Sequence, residues 1–189
     1  MAKCIRCGRS GMGVLHQAIK LKDKNMICFK CYKELGGTPM KDITTAPLTY
    51  SYDDIKDGFE AMANRRLSET ILKANMEEVE KFGITLKLVN QLNKAGATDP
   101  EKRLLGAICS VLADEGRDID VIDAALGDNG SLLLMIDGVV FIEYKSDEGV
   151  KWIRFDNEGQ EKVRITGPAR INAMADRVVA AYDSTVSEL

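Results

Sequence analysis

Four cysteines declare a chemistry before any other residue does. Cys4-Ile5-Arg6-Cys7-Gly8 and Cys28-Phe29-Lys30-Cys31 are two Cys-x-x-Cys pairs with 20 residues between them. A Cys-x-x-Cys bend supplies two sulfurs from one short turn, and Zn²⁺ takes four thiolates at tetrahedral corners. The separation falls at the upper edge of the spacing read as a four-cysteine zinc site. Cys4, Cys7, Cys28 and Cys31 are therefore the expected ligands of one Zn²⁺. Four thiolates close the shell, whereas a catalytic zinc keeps a position open, so a structural role is expected. Two rival readings fit less well. Rubredoxin-like iron would want a glycine after the last cysteine, where Tyr32 stands, and thioredoxin-like redox pairs would each want a βαβ setting. His16, the only histidine, reads as a hairpin residue, and Cys109, in Leu104-Leu105-Gly106-Ala107-Ile108-Cys109, as a small buried hydrophobe.

The elements that must hold the four sulfurs can be read around them. Gly8 stands where the chain turns after the first pair, at backbone angles that a Cβ would oppose. Val14 to Leu21 alternates loosely, Lys22-Asp23-Lys24-Asn25 is a polar turn, and Met26-Ile27 returns as a second strand. Tyr32-Lys33-Glu34-Leu35 reads as a short helix begun on the second pair and closed by Gly36-Gly37. Knuckle, hairpin, then a helix bearing the last two ligands is the order of a treble-clef zinc finger. Cys4, Cys7, Gly8, Lys20, Leu21, Lys22, Asp23, Ile27, Cys28, Lys30 and Cys31 also make the segment similar to a family of short bacterial and phage four-cysteine modules of uncharacterised function. That resemblance covers residues 1–37. It implies zinc and a treble clef, and it brings no activity with it.

Charge divides the chain. Residues 1–41 carry nine Lys/Arg against two acidic side chains, and residues 42–189 carry 17 against 27. Lys20, Lys22 and Lys24 alternate, so a strand would present them on one face, and with Lys30 they are the candidate phosphate contacts of a nucleic-acid-binding reading. Against it, the module has no aromatic stacking set beyond Phe29 and Tyr32. Cysteines paired at metal spacing fit a reducing compartment better than a disulfide framework. No apolar run is long enough to span a membrane and no signal-peptide pattern opens the chain, so a cytoplasmic protein is expected.

The remaining sequence predicts an α+β body behind the zinc module: residues 1–37 as the module, 38–50 as a Gly/Pro/Thr linker, and 51–189 as the body. Ser51 starts a helix with Ile55, Phe59 and Met62 inward. After Arg65-Arg66 the buried stripe is expected to shift to Leu67, Ile71, Leu72, Met76, Val79 and Phe82, with Met40, Met62 and Met76 as core filler. Thr85 and Thr98-Asp99-Pro100-Glu101 open two further helices, ended by Gly96 and Gly116. Asp118 to Leu126 reads as one more short helix, bringing the helical region to about residue 127. A four-stranded antiparallel meander is expected over about 131–165, turning at Asp137-Gly138, at Ser146-Asp147-Glu148-Gly149 and at Asn157-Glu158-Gly159. A final helix is expected over about 169–185. Trp152 reads as a sheet-packing or surface aromatic.

One histidine, no Gly-x-Ser-x-Gly and no phosphate loop leave no catalytic constellation, and no small-molecule substrate is identified. The expectation is a non-enzymatic, zinc-containing binding, adaptor or regulatory protein that acts through protein–protein contacts, with a protein partner or by self-association. The alternative is a nucleic-acid-binding regulator using the basic module.

Overall fold

The computed structural model describes residues 2–13, 16–147, 150–159 and 161–189. It separates into two units, Met1–Leu72 and Lys73–Leu189, each with its own buried core.

In the first unit the knuckle is tied by Cys4 N–H to Arg9 O (2.8 Å) and Gly8 N–H to Cys4 O (2.9 Å). Gly8 sits at φ +71°, with no Cβ to clash there. Strands β1 (Ala18–Lys20) and β2 (Met26–Cys28) pair antiparallel, Ile19 opposite Ile27. Lys22 to Lys24 form the turn as expected, but the first strand, Ala18–Lys20, is shorter than the expected Val14 to Leu21, of which Val14 and Leu15 lie outside the described residues. Asp23 holds that turn, accepting from Asn25 N–H (3.1 Å) and from Tyr52 N–H (2.7 Å).

Helix α1 (Phe29–Glu34) starts on the second cysteine pair, as expected. The segment 38–50 is not a bare linker. It holds α2 (Pro39–Asp42) and α3 (Ala46–Thr49), each with a proline in its first turn, where the missing N–H costs nothing. Ala46 is fully buried in the core that also holds Cys4, Cys28, Cys31, Ile19, Ile27 and Tyr32. The Tyr32 hydroxyl donates to Asp42 (3.1 Å), which also accepts from Thr38 N–H (2.9 Å). Ser51 and Asp54 form a capping box on α4 (Tyr52–Ile55). Ile55, and Met62 from α5 (Phe59–Phe82), complete that core, so the module does not end at residue 37. Gly37 is required here: a Cβ would stand 2.2 Å from the Tyr32 ring and 2.7 Å from that of Phe59.

The stripe expected to be buried after Arg66 divides: Phe82 is buried and Val79 packs half-buried against the second core, but Leu67, Ile71, Leu72 and Met76 stay in water. Residues 63 to 72 of α5 are all exposed, with Leu67 60%, Ile71 51% and Leu72 52% accessible. Met76 (44%) and Met40 (76%) are exposed too, and of the three methionines only Met62 fills a core.

In the second unit the end of α5 is followed by helices α6 (Leu86–Ala95) and α7 (Asp99–Asp114), which begin at Thr85 and Thr98 as expected. The region expected as a short helix over Asp118 to Leu126 is instead a turn followed by strand β3 (Ile122–Leu126). The next strand explains this. β4 (Leu132–Ile136) is apolar on both faces and would be an exposed sticky edge without a neighbour. β3 covers that edge over five residue pairs, and α6 in turn closes β3: the Gln91 side chain accepts from Ala124 N–H (2.9 Å) and donates to Asp123 (2.6 Å).

The sheet therefore has five strands, not four, in the antiparallel order β3-β4-β5-β6-β7, with β5 Val139–Asp147, β6 Val150–Phe155 and β7 Lys162–Arg164. Glu148 and Gly149, expected in the β5–β6 turn, lie outside the described residues. The last helix is split into α8 (Ala169–Asn172) and α9 (Ala175–Glu188). From α9, Val178, Ala181 and Tyr182 join the sheet's Phe141, Ile153 and Phe155 and α7's Leu105, Ile108 and Cys109 in one core. Burial pushes the Cys109 thiol up to about 12, as suits an inert packing residue. Trp152 lies on β6 under the Lys162 ammonium, 4.1 Å from the ring centre. No helix among the described residues is long and apolar enough to cross a membrane.

Candidate metal centre

The structure brings all four predicted ligands together: the sulfurs of Cys4, Cys7, Cys28 and Cys31 lie within 4.8 Å of one another. Each arrives from a different local device. Cys4 leads into the knuckle, where Ile5 N–H donates to Met26 O (2.8 Å) and binds it to β2. Cys7 stands at the knuckle's far side, before Gly8. Cys28 ends β2 and caps α1, its sulfur accepting from Cys31 N–H (3.4 Å), and Cys31 follows one turn later. Cys28 N–H in turn donates to Cys4 Sγ (3.4 Å).

A tetrahedron with metal–sulfur bonds of about 2.3 Å has edges of about 3.8 Å. Cys7 Sγ and Cys28 Sγ are 3.9 Å apart, already at that edge. Cys4, Cys28 and Cys31 are buried and Cys7 is exposed, so the centre sits at the rim of the first core.

Electrostatics inside the cluster favour a cation. Burial alone would raise the Cys4 pKa, but N–H groups of Cys28, Cys7 and Arg6 and the Cys7 thiol bring it down to about 6. Cys31 moves the other way: burial, the neighbouring Cys28 and Cys7 sulfurs and the charge on Cys4 push it far up. One thiolate is thus favoured and a second opposed by it. Only a positive charge between the sulfurs lets all four ionise together, and a divalent metal does so while releasing the protons. The donor set fits a soft or borderline ion, zinc being typical of four thiolates.

Arg6 is a contributor that sequence reading missed. Its guanidinium donates to Cys31 O (3.2 Å) and to Glu34 (2.9 Å), locking α1 onto the knuckle. Only a 28-residue separation joins Arg6 to Glu34, and no local pattern announces such a pair.

The lysines behave differently from expectation. Lys20, Lys22, Lys24 and Lys30 are all exposed, but they do not share a strand face. Lys20 ends β1, Lys22 and Lys24 sit in the turn, with Lys24 at φ +68°, and Lys30 lies on α1, 4.0 Å from Glu34. His16 is exposed and is not part of the cysteine cluster.

Comparison with protein-family models, with curated proteins and with solved structures returns no match for this chain.

Proposed function

We propose that the chain is a non-enzymatic binding or adaptor protein, built on one structural Zn²⁺ in a treble-clef module and acting through contacts with a protein. The observation that carries this reading is the closed set of four convergent thiolates at the edge of a core, an arrangement that spends every ligand position on holding the fold. Knuckle, hairpin β1–β2 and ligand-bearing α1 follow one another in treble-clef order. For the protein contact, the support is the apolar material left in water on α5. Leu67, Ile71 and Leu72 lie within ten consecutive exposed positions, and adjoining apolar side chains left in water mark interaction surfaces. Phosphate contact has less behind it, because the turn disperses Lys20, Lys22 and Lys24.

Metal analysis of the purified full chain is expected to return one zinc per molecule, and Cys4→Ser or Cys31→Ser to lose it. A partner captured from the native host is expected to be lost with Leu67→Glu/Ile71→Glu/Leu72→Glu while zinc content stays at one. A zinc-free wild type with an intact first unit would overturn the metal reading. Unchanged capture by the triple variant would overturn the proposed contact surface.

A further inference from the structure

The four thiolates are not equivalent. Cys4, Cys28 and Cys31 are 2%, 4% and 5% accessible, while Cys7 is exposed. Cys4 Sγ and Cys28 Sγ each accept a backbone N–H, at 3.4 Å in both cases. Among the described residues no backbone N–H donates to Cys7 Sγ. A donated hydrogen bond holds sulfur electron density and makes a thiolate a poorer nucleophile, and burial denies it a reaction partner. Cys7 escapes both restraints. Cys28 Sγ waits 3.9 Å away.

We propose that Cys7 is an oxidation site: a peroxide-class oxidant enters the centre at Cys7, and its sulfur then closes onto Cys28. This inference rests on the structural-zinc reading. In the first step the Cys7 thiolate attacks one peroxide oxygen and the O–O bond breaks. The departing hydroxide takes a proton to become water, leaving Cys7 as a sulfenic acid, oxidised by two electrons. In the second step the Cys28 thiolate attacks the Cys7 sulfur, the S–O bond breaks, and a second hydroxide is protonated to water. Two thiolates, one hydrogen peroxide and two protons thus become one disulfide and two waters. Cys7 and Cys28 withdraw from the shell, and the two sulfurs of Cys4 and Cys31 are too few to hold the ion. The new link still joins knuckle to hairpin, so a thiol reductant restores the ligand set.

The test uses the zinc-loaded full chain treated with hydrogen peroxide, with a chromogenic zinc chelator reporting release and peptide mapping reporting the bond formed. Release should accompany a Cys7–Cys28 disulfide and reverse with dithiothreitol and added zinc. Cys7→Ser should slow release and abolish the Cys7–Cys28 disulfide. Should that variant fail to hold zinc, brief N-ethylmaleimide labelling of the native protein decides instead, with Cys7 modified first. A Cys4–Cys7 or Cys28–Cys31 disulfide, or first labelling at Cys4 or Cys31, overturns the proposal. Zinc present and retained under peroxide defeats this inference alone, whereas no zinc in the untreated protein defeats the structural-zinc reading and this inference with it.

Discussion

Glu143 is a carboxylate set into the sheet of the second unit, 7% accessible. It accepts from the Ser131 hydroxyl (2.6 Å) and the Asn129 amide (3.1 Å) and pairs with Arg154 (3.0 Å). Burial raises its pKa, but those two hydrogen bonds and the Arg154 charge outweigh it and hold the carboxyl below its ordinary value of 4.5. A depressed folded value means the folded state favours the charged form. That contribution is complete above 4.5, where the unfolded group is ionised, and is lost as pH falls through the lower folded value. The second unit should therefore lose stability progressively as pH drops below about 4.5. Glu143→Gln should flatten that part of the acid limb while costing about 1–3 kcal/mol at pH 7 through its imperfectly replaced hydrogen bonds. Urea denaturation at pH 7 and at pH 3.5 measures both; an equally steep acid limb in the variant would show that other carboxylates carry it.

Among the elements, capped helices and turn-flanked strands were legible in the sequence because their signals are local. Ser51, Thr85 and Thr98 mark helix starts that the structure keeps, and Asp137-Gly138 turns β4 into β5. What was not legible depends on partners distant in sequence. Ile122 to Leu126 has weak helical periodicity of its own, and becomes a strand because β4 needs its edge covered and Gln91 of α6 can satisfy β3's far side. The α5 stripe shows the converse, since a helical pattern of Leu67, Ile71 and Leu72 says that a face exists but not that anything covers it. The four ligands were legible from spacing alone, whereas Cys7's exposure and the Arg6–Glu34 clasp were not. Substitution separates the two kinds of helix face. Leu67→Glu, Ile71→Glu and Leu72→Glu, each at an exposed site, should change unfolding free energy by no more than about 0.5 kcal/mol. Leu88→Ala or Leu92→Ala, both fully buried in α6, should cost about 2–5 kcal/mol. Chemical denaturation of the five variants checks this, and a large loss at Leu67, Ile71 or Leu72 would mean that the stripe is covered in solution.

At the scale of the whole chain, the two cores draw on different sources of stability. The second is a conventional aliphatic core shared by a five-stranded sheet and its helices. The first is small, and among the described residues three of the twelve buried in it are the cysteines Cys4, Cys28 and Cys31. Its strands are three residues long and its first helix six, lengths that do not persist in water unaided. A metal bound only by the folded form adds its binding energy to folding, so the first unit should depend on the ion and the second should not. Removing zinc from the full chain with a strong chelator should abolish amide hydrogen-exchange protection at β1, β2 and α1 while leaving β4, β5, α7 and α9 protected. Adding one equivalent of zinc under reducing conditions should restore the first set. Because chelation withdraws the ion without substituting a residue, the outcome is free of packing changes introduced by mutation. Protection surviving in β1, β2 and α1 after complete metal removal would show that Tyr32, Ile19, Ile27 and their neighbours hold the unit without it. Loss spreading through β4 and β5 would show that the two cores unfold as one.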